Sequence, residues 1–298
     1  MRYLNAGTGN LFHYIFAESQ GNPKTDPLVA AANYAALKDF FNKYPSFKTN
    51  PFYLTGESYA GVYIPMLGVK ILEGIKDSKI NLKGVAIGNG LISNSINTNT
   101  QILYLYNHGL IDEEIWQKFQ KQYCKGCIDS CDIYNIPDNS TCGDMQQDLY
   151  TGYNNALVNP YDLYDDCEPT DKTIAFRHKI KARNSNLILK NLAKKFAQRD
   201  RPLYYGVIPC TDVSAVEHYL NMPNVKEALH IPSNLNIKWE ECSDDVFYNY
   251  TSTSPIEMAN FTKIILNANI RMLFYYGDLD VVCNFLLGQR FTEQLGYK

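Results

Sequence analysis

Ten residues, Phe52-Tyr53-Leu54-Thr55-Gly56-Glu57-Ser58-Tyr59-Ala60-Gly61, constrain this chain more than any other stretch. A short apolar run, suited to a strand, ends at Gly56. Ser58 follows two residues later, and a helix-compatible stretch over 63–75 begins just beyond. That is the strand–turn–helix context of a nucleophile elbow, which holds a serine hydroxyl exposed at the tip of a sharp turn. Small residues at Gly56, Ala60 and Gly61 permit the turn. An ordinary serine between two elements is the plain alternative, and the flanking strand and helix favour the elbow. A serine hydroxyl attacks poorly unless a base takes its proton, so partners are expected elsewhere.

The chain has 298 residues, room for one large domain with an insertion or for two small ones. Hydrophobic residues make up 45% and charged residues 20%, as in ordinary globular proteins. A formal net charge of −3 argues against nucleic acid as a partner. No stretch approaches the roughly 18 apolar residues of a membrane span. The first thirty residues show no charged start, apolar core and cleavage site of a signal peptide. The cysteines point the other way. Eight are present, and Cys124, Cys127, Cys131 and Cys142 crowd together. The Cys124-x-x-Cys127 spacing would suit a metal, but no histidine lies near, and the other four cysteines would be left without a role. Glycosylation sequons stand at Asn139, Asn249 and Asn260. Together these features favour an oxidising compartment, and a written N-terminus that is not the true one.

Along the chain, Thr25-Asp26-Pro27 reads as a helix start, and the helix stops before Pro45. Gly7-Thr8-Gly9 reads as a turn. Strands are expected over 52–55 and 82–87, the second ending in Gly88-Asn89-Gly90. Helix–strand alternation implies a parallel sheet covered by helices. After Ser93 the texture changes. A tyrosine-rich helix to about Gly109, a helix over 113–123, the cysteine-rich loop, a weak helix over 144–156 and a basic run over 172–201 form an insertion at 97–205. The basic run reads as a solvated, protease-sensitive lid segment. The core pattern returns with helices over 213–229 and 255–268. A strand over 270–276 then ends at Gly277-Asp278-Leu279-Asp280, and a last helix runs to the chain end. An acidic residue just past a strand's C-terminal end is where open α/β sheets place their chemistry.

Catalytic partners of an elbow serine run in the order serine, acid, histidine in α/β-hydrolase arrangements. Ser58 and Asp278 or Asp280 fill the first two places. His13, His108, His178, His218 and His230 all precede Asp280, so the base is missing or out of order, and a fragment is expected.

Gly56-Glu-Ser-Tyr-Ala-Gly-Val-Tyr-Ile-Pro65 resembles the nucleophile motif of the serine carboxypeptidases of vacuoles and lysosomes. So, in the same order, do residues 82–91, Pro209-Cys-Thr-Asp212, Trp239-Glu-Glu-Cys-Ser243 and Gly277-Asp-Leu-Asp-Val-Val-Cys-Asn284. The resemblance implies an α/β-hydrolase fold with a mostly helical, cysteine-rich lid, divided into core 1–96, lid 97–205 and core 206–298. It implies Ser58 as nucleophile, the Tyr59 N–H as an oxyanion donor and Asp280 as the triad acid. Glu57 would bind the substrate's terminal carboxylate, and does so best when protonated, which favours acidic pH. Cys283 would be a free thiol near the substrate, and Cys167 with Cys210 a core–lid disulfide.

Departures from the family pattern shape the expectation. The Asn-Gly-Gly-Pro-Gly-Cys segment and the Gly-His segment are absent, and 5–9 resembles the family's glycine loop only loosely. Cys242 should therefore be unpaired. The resulting expectation is a serine carboxypeptidase incomplete at both termini, nearly inactive as this chain and without cofactor or metal. Its partners would be peptides or proteins at their C-terminus, with no nucleic acid or membrane and a homodimer left open. It would be lysosomal, vacuolar or secreted. An acyltransferase on the same fold, a non-catalytic binding protein and a zinc module on 124–142 are the alternatives.

Overall fold

Three parallel strands, β3 (Phe52–Glu57), β4 (Leu82–Gly88) and β5 (Arg271–Tyr275), pair in the order β3-β4-β5. They belong to a computed structural model that describes residues 2–5, 12–15, 25–123, 131–135, 158–166, 213–235, 238–240, 250–253 and 255–297. The expected turn at Gly7-Thr8-Gly9, the helix over 144–156, the basic run over 172–201 and the Cys167–Cys210 pair lie outside those residues, as do Cys242, Asn139 and Asn249. Before the sheet, β1 (Arg2–Asn5) and β2 (Phe12–Ile15) form an antiparallel pair.

The register aligns the strand ends. Glu57 lies beside Gly88, and Gly88 beside Tyr275. The loops leaving the three strands therefore emerge along one edge of the sheet, the edge at which parallel sheets host ligands.

Helix α1 (Asp26–Lys43) begins after Thr25 and stops before Pro45, where the sequence places its limits. Thr25 holds the cap position, but its side chain makes no capping bond. Helix α2 (Ala60–Glu73) follows the elbow. It is apolar on nearly every side, with Val62, Met66, Val69 and Ile71 buried. It lies among the sheet, α1 and a later helix, so all its faces need apolar contact. Helix α3 (Asn94–Asn107) starts three residues earlier than the Asn97 expected, because Ser93 caps it by accepting from the Ile96 N–H. Asp112 caps α4 (Glu113–Lys118) in the same way at Ile115. Helices α5 (Ser214–Asn221) and α6 (Pro223–Ala228) meet at Pro223, and α7 (Ala259–Asn267) packs Ile265 against Gly68 of α2. Helix α8 (Phe285–Gln294) does not run to the chain end. Gly296, at φ 78°, takes a left-handed turn just past it.

Two cores result. One sits between the sheet and α1, α2, α7 and α8, around Leu54, Val85, Ile87, Ile265 and Leu287. The other gathers Ile102, Tyr104, Trp116, Phe119, Ile133 and Val281, with Trp116 stacked on Tyr106. Among the described residues the opposite sheet face carries exposed side chains. Leu273 is 58% exposed, and Tyr53 and Tyr275 lie exposed over Gly84 and Gly88.

Candidate active site

Ser58 sits at φ 57°, a left-handed conformation that costs a residue with a Cβ about 1–2 kcal/mol. Three bonds hold it there. Its N–H donates to the Gly88 carbonyl at 3.2 Å, and its carbonyl accepts from the Gly61 and Leu91 N–H groups at 2.9 Å. The turn is tight because its neighbours are small. A Cβ on Gly56 would stand 2.6 Å from the Ala60 Cβ, and one on Gly61 would stand 2.7 Å from the Leu91 backbone. The start of α2 and the loop after β4 thus press backbone to backbone. Gly61→Val should cost about 3 kcal/mol or more, because the obstacle is main chain and cannot rotate away. Gly277→Ala, where a Cβ meets nothing nearer than 3.9 Å, should stay within about 1 kcal/mol. Urea denaturation of both variants checks the contrast.

Below the elbow, Asp26 is fully buried and accepts from the Tyr59 and Tyr250 hydroxyls and the Thr253 N–H. The sequence marks Asp26 only as a helix-start acid; in the fold it ties α1 to the elbow and to 250–253. Burial, reinforced by the Asp26 charge, holds the Tyr59 hydroxyl protonated far above its ordinary range. The Tyr59 side chain is thereby fixed. Its backbone N–H opens α2 and has no acceptor among the described residues.

Asn89 leaves β4 at φ 38°. Its Oδ1 accepts from the Gly277 N–H at 3.0 Å, and its Nδ2 donates to the Cys283 carbonyl at 3.3 Å. It bridges the ends of β4 and β5, a role not assigned from the sequence. The available signal was an asparagine between two glycines at a strand end, a residue type that tolerates positive φ.

Asp280 lies five residues past β5 and is 8% exposed. Its Oδ1 accepts from the Val282 N–H at 2.8 Å and the Cys283 N–H at 3.3 Å. Burial pushes its carboxyl up to about 6, against the pull of those bonds, and the charge of Glu57 adds to the rise. Glu57 itself is exposed at the end of β3. Cys283 is a free, buried thiol. Burial first, then the charges of Asp280 and Glu57, keep it protonated, which removes it as a competing nucleophile. Asp278, the other candidate acid, is exposed and offers its backbone carbonyl to the Tyr104 hydroxyl.

Among the described residues no histidine is hydrogen-bonded to Ser58 or Asp280. His108 stacks on Tyr104 at 4.0 Å, and His218 and His230 are exposed. Cys131 is in a disulfide, so it has no thiolate to offer zinc. Asn260 is exposed at the start of α7, while Thr262 of its sequon is buried.

Residues 28–298 match the sequence profile of a family described as serine carboxypeptidase. A serine carboxypeptidase of Caenorhabditis elegans is 35% identical over 97% of this chain and 58% of its own length. The lysosomal protective protein of Mus musculus is 30% identical over 99% of this chain and 62% of its own. The crystal structure of a prohormone-processing carboxypeptidase from Saccharomyces cerevisiae superposes with a TM-score of 0.62 at 19% identity, over 92% of this chain and 53% of that one. The chain therefore spans about three fifths of the length of the curated relatives it matches. The fold is that of the α/β-hydrolases.

Proposed function

Because this chain belongs to the serine carboxypeptidase family, we propose that it carries the nucleophile and acid of an enzyme that releases C-terminal amino acids from peptides. The observation that carries this reading is a serine in a left-handed turn after β3 and a buried aspartate in the loop after β5, on strands whose C-terminal ends lie in register. Ser58 Oγ attacks the carbonyl carbon of the last peptide bond, and its proton passes to a histidine base. Charge on the carbonyl oxygen is met by the Tyr59 N–H. The C–N bond breaks as the base returns the proton to the leaving amine, and water then hydrolyses the ester on Ser58. Asp280 orients the histidine. Glu57 adjoins Ser58 in the chain, where it would hold the substrate's carboxylate, and Cys283, whose thiol feels the charges of Asp280 and Glu57, would lie beside the same site.

No histidine follows Asp280 in this sequence. The isolated 298-residue chain should therefore turn over peptides about 10⁴- to 10⁶-fold more slowly than a complete triad. Release of a C-terminal residue from an N-blocked dipeptide at mildly acidic pH measures this. Ordinary turnover by the isolated chain would refute the assigned roles. Adding a competing alcohol to the native protein's assay separates hydrolysis from acyl transfer.

In the proposed division, 97–205 is an insertion on a core formed by 1–96 and 206–298. Peptides engaged at their C-terminus are the proposed partners. No helix among the described residues is long and apolar enough to cross a membrane. A lysosomal, vacuolar or secreted location fits the Cys131 disulfide and the exposed sequon at Asn260, which we take as a glycosylation site.

A further inference from the structure

We propose that the α3 helix and the 158–166 segment form a clamp on the loop bearing Asp280, with Tyr104, Asn97 and Gln101 as its positioning residues. The inference rests on Asp280 as the triad acid.

The loop between β5 and α8 has no regular structure of its own, so its carbonyls need outside donors. Five find them. The Tyr104 hydroxyl donates to the Asp278 carbonyl at 2.6 Å. The Leu163 N–H donates to Leu279 at 3.3 Å, Gln101 Nε2 to Val281 at 3.4 Å and Asn97 Nδ2 to Val282 at 3.0 Å. Asn89 serves Cys283. In return the Val281 N–H donates to the Pro160 carbonyl at 2.9 Å. Asn284 closes the set by donating to Asn97 Oδ1 and Thr100 Oγ1 while it caps α8.

Asn97, Gln101 and Tyr104 are spaced by four and three residues, so they share one face of α3. On that face Tyr104 is buried and Asn97 and Gln101 are half-buried, where apolar side chains pack at lower cost than polar ones. Polar groups persist there in a geometry that fixes a loop. The Val282 and Cys283 N–H groups that aim the Asp280 carboxylate belong to residues whose carbonyls Asn97 and Asn89 hold. Release of the clamp would let the Val282 donor drift from the acid, while Asn89, which follows β4, still holds Cys283. In the division proposed above, these α3 residues and 158–166 belong to the insertion, so the insertion would set the geometry of the acid as well as cover the site.

The test is Tyr104→Phe in the native protein, a change that removes one hydroxyl and keeps the ring. Hydrogen–deuterium exchange of the Val282 amide should speed up about five- to tenfold, the worth of one hydrogen bond. With active sites titrated, kcat should fall about 10- to 100-fold and KM stay within about twofold, since displacement of a catalytic group costs rate more than binding. Should Tyr104→Phe fail to fold, Gln101→Met is read in the same way. Unchanged exchange overturns the clamp, and faster exchange with unchanged kcat per site overturns its positioning role. If the native protein cleaves no peptide, the carboxypeptidase reading fails, and exchange still decides the clamp.

Discussion

Ser58→Ala in the native protein is expected to lower kcat for C-terminal hydrolysis about 10⁴- to 10⁶-fold, the loss seen when a triad loses its nucleophile. Folding should be nearly untouched. The alanine keeps the Cβ and occupies the same left-handed position, and the bonds from Gly88, Gly61 and Leu91 involve backbone atoms only. Ser58→Gly should be equally inactive and about 1 kcal/mol more stable than the alanine variant, because glycine carries no penalty at φ 57°. Thermal melts and peptide assays on the pair separate strain from chemistry. A fall in activity that tracks a fall in stability would mean that Ser58 only shapes the turn.

Asp280→Asn has the second largest expected effect, and activity and stability should move in opposite directions. Activity should fall about 10⁴-fold, since an amide cannot support the imidazolium that forms during catalysis. Stability at neutral pH should rise. The folded carboxyl titrates near 6, above its ordinary value, chiefly through burial. A carboxyl raised in this way contributes stability that is fully present below its unfolded value, near pH 4. That contribution is lost as pH climbs through the folded value near 6. The gap corresponds to about 3 kcal/mol between acid and neutral pH. An asparagine oxygen can still accept from the Val282 and Cys283 N–H groups, so the variant keeps the bonds and avoids burying the charge. Its melting temperature at pH 7 should exceed the parent's by about 5 °C, with the difference vanishing near pH 4. The same physics favours the folded parent in mildly acidic surroundings. A variant that melts lower at pH 7 would show that the charge of Asp280 stabilises the fold.

Features with short-range causes were legible in the sequence. Helix α1 runs from Asp26, just after Thr25, to Lys43, just before Pro45, because Pro27 and Pro45 set both limits locally. The elbow, the strand before it and the acid past β5 were legible for the same reason, since strand, turn and small residues adjoin one another. Family resemblance then separated Asp280 from Asp278, which spacing left equal. In the fold Asp280 is buried and Asp278 exposed.

Features built from long-range pairs escaped. Asp26 reads as a helix-start acid until Tyr250 arrives from 224 residues away. Tyr104 reads as one of several tyrosines in a tyrosine-rich helix until the Asp278 carbonyl meets it from 174 residues away. Asn89 bridges a gap of 194 residues to Cys283. None of these pairings has a periodicity, so no window along the chain reveals them. The end of α8 was missed for a smaller reason. Gly296 ends the helix through its positive φ, a single-residue signal, and only Thr292 to Leu295 separate it from the buried Phe291.

Covalent labelling addresses the nucleophile directly. The native protein would be treated with an organofluorophosphonate, which reacts only with a serine activated by its neighbours, digested, and mapped by mass spectrometry. A single adduct on Ser58, lost in Asp280→Asn, is the expected result. No adduct, or one on another serine, would contradict the placement of the nucleophile at this elbow.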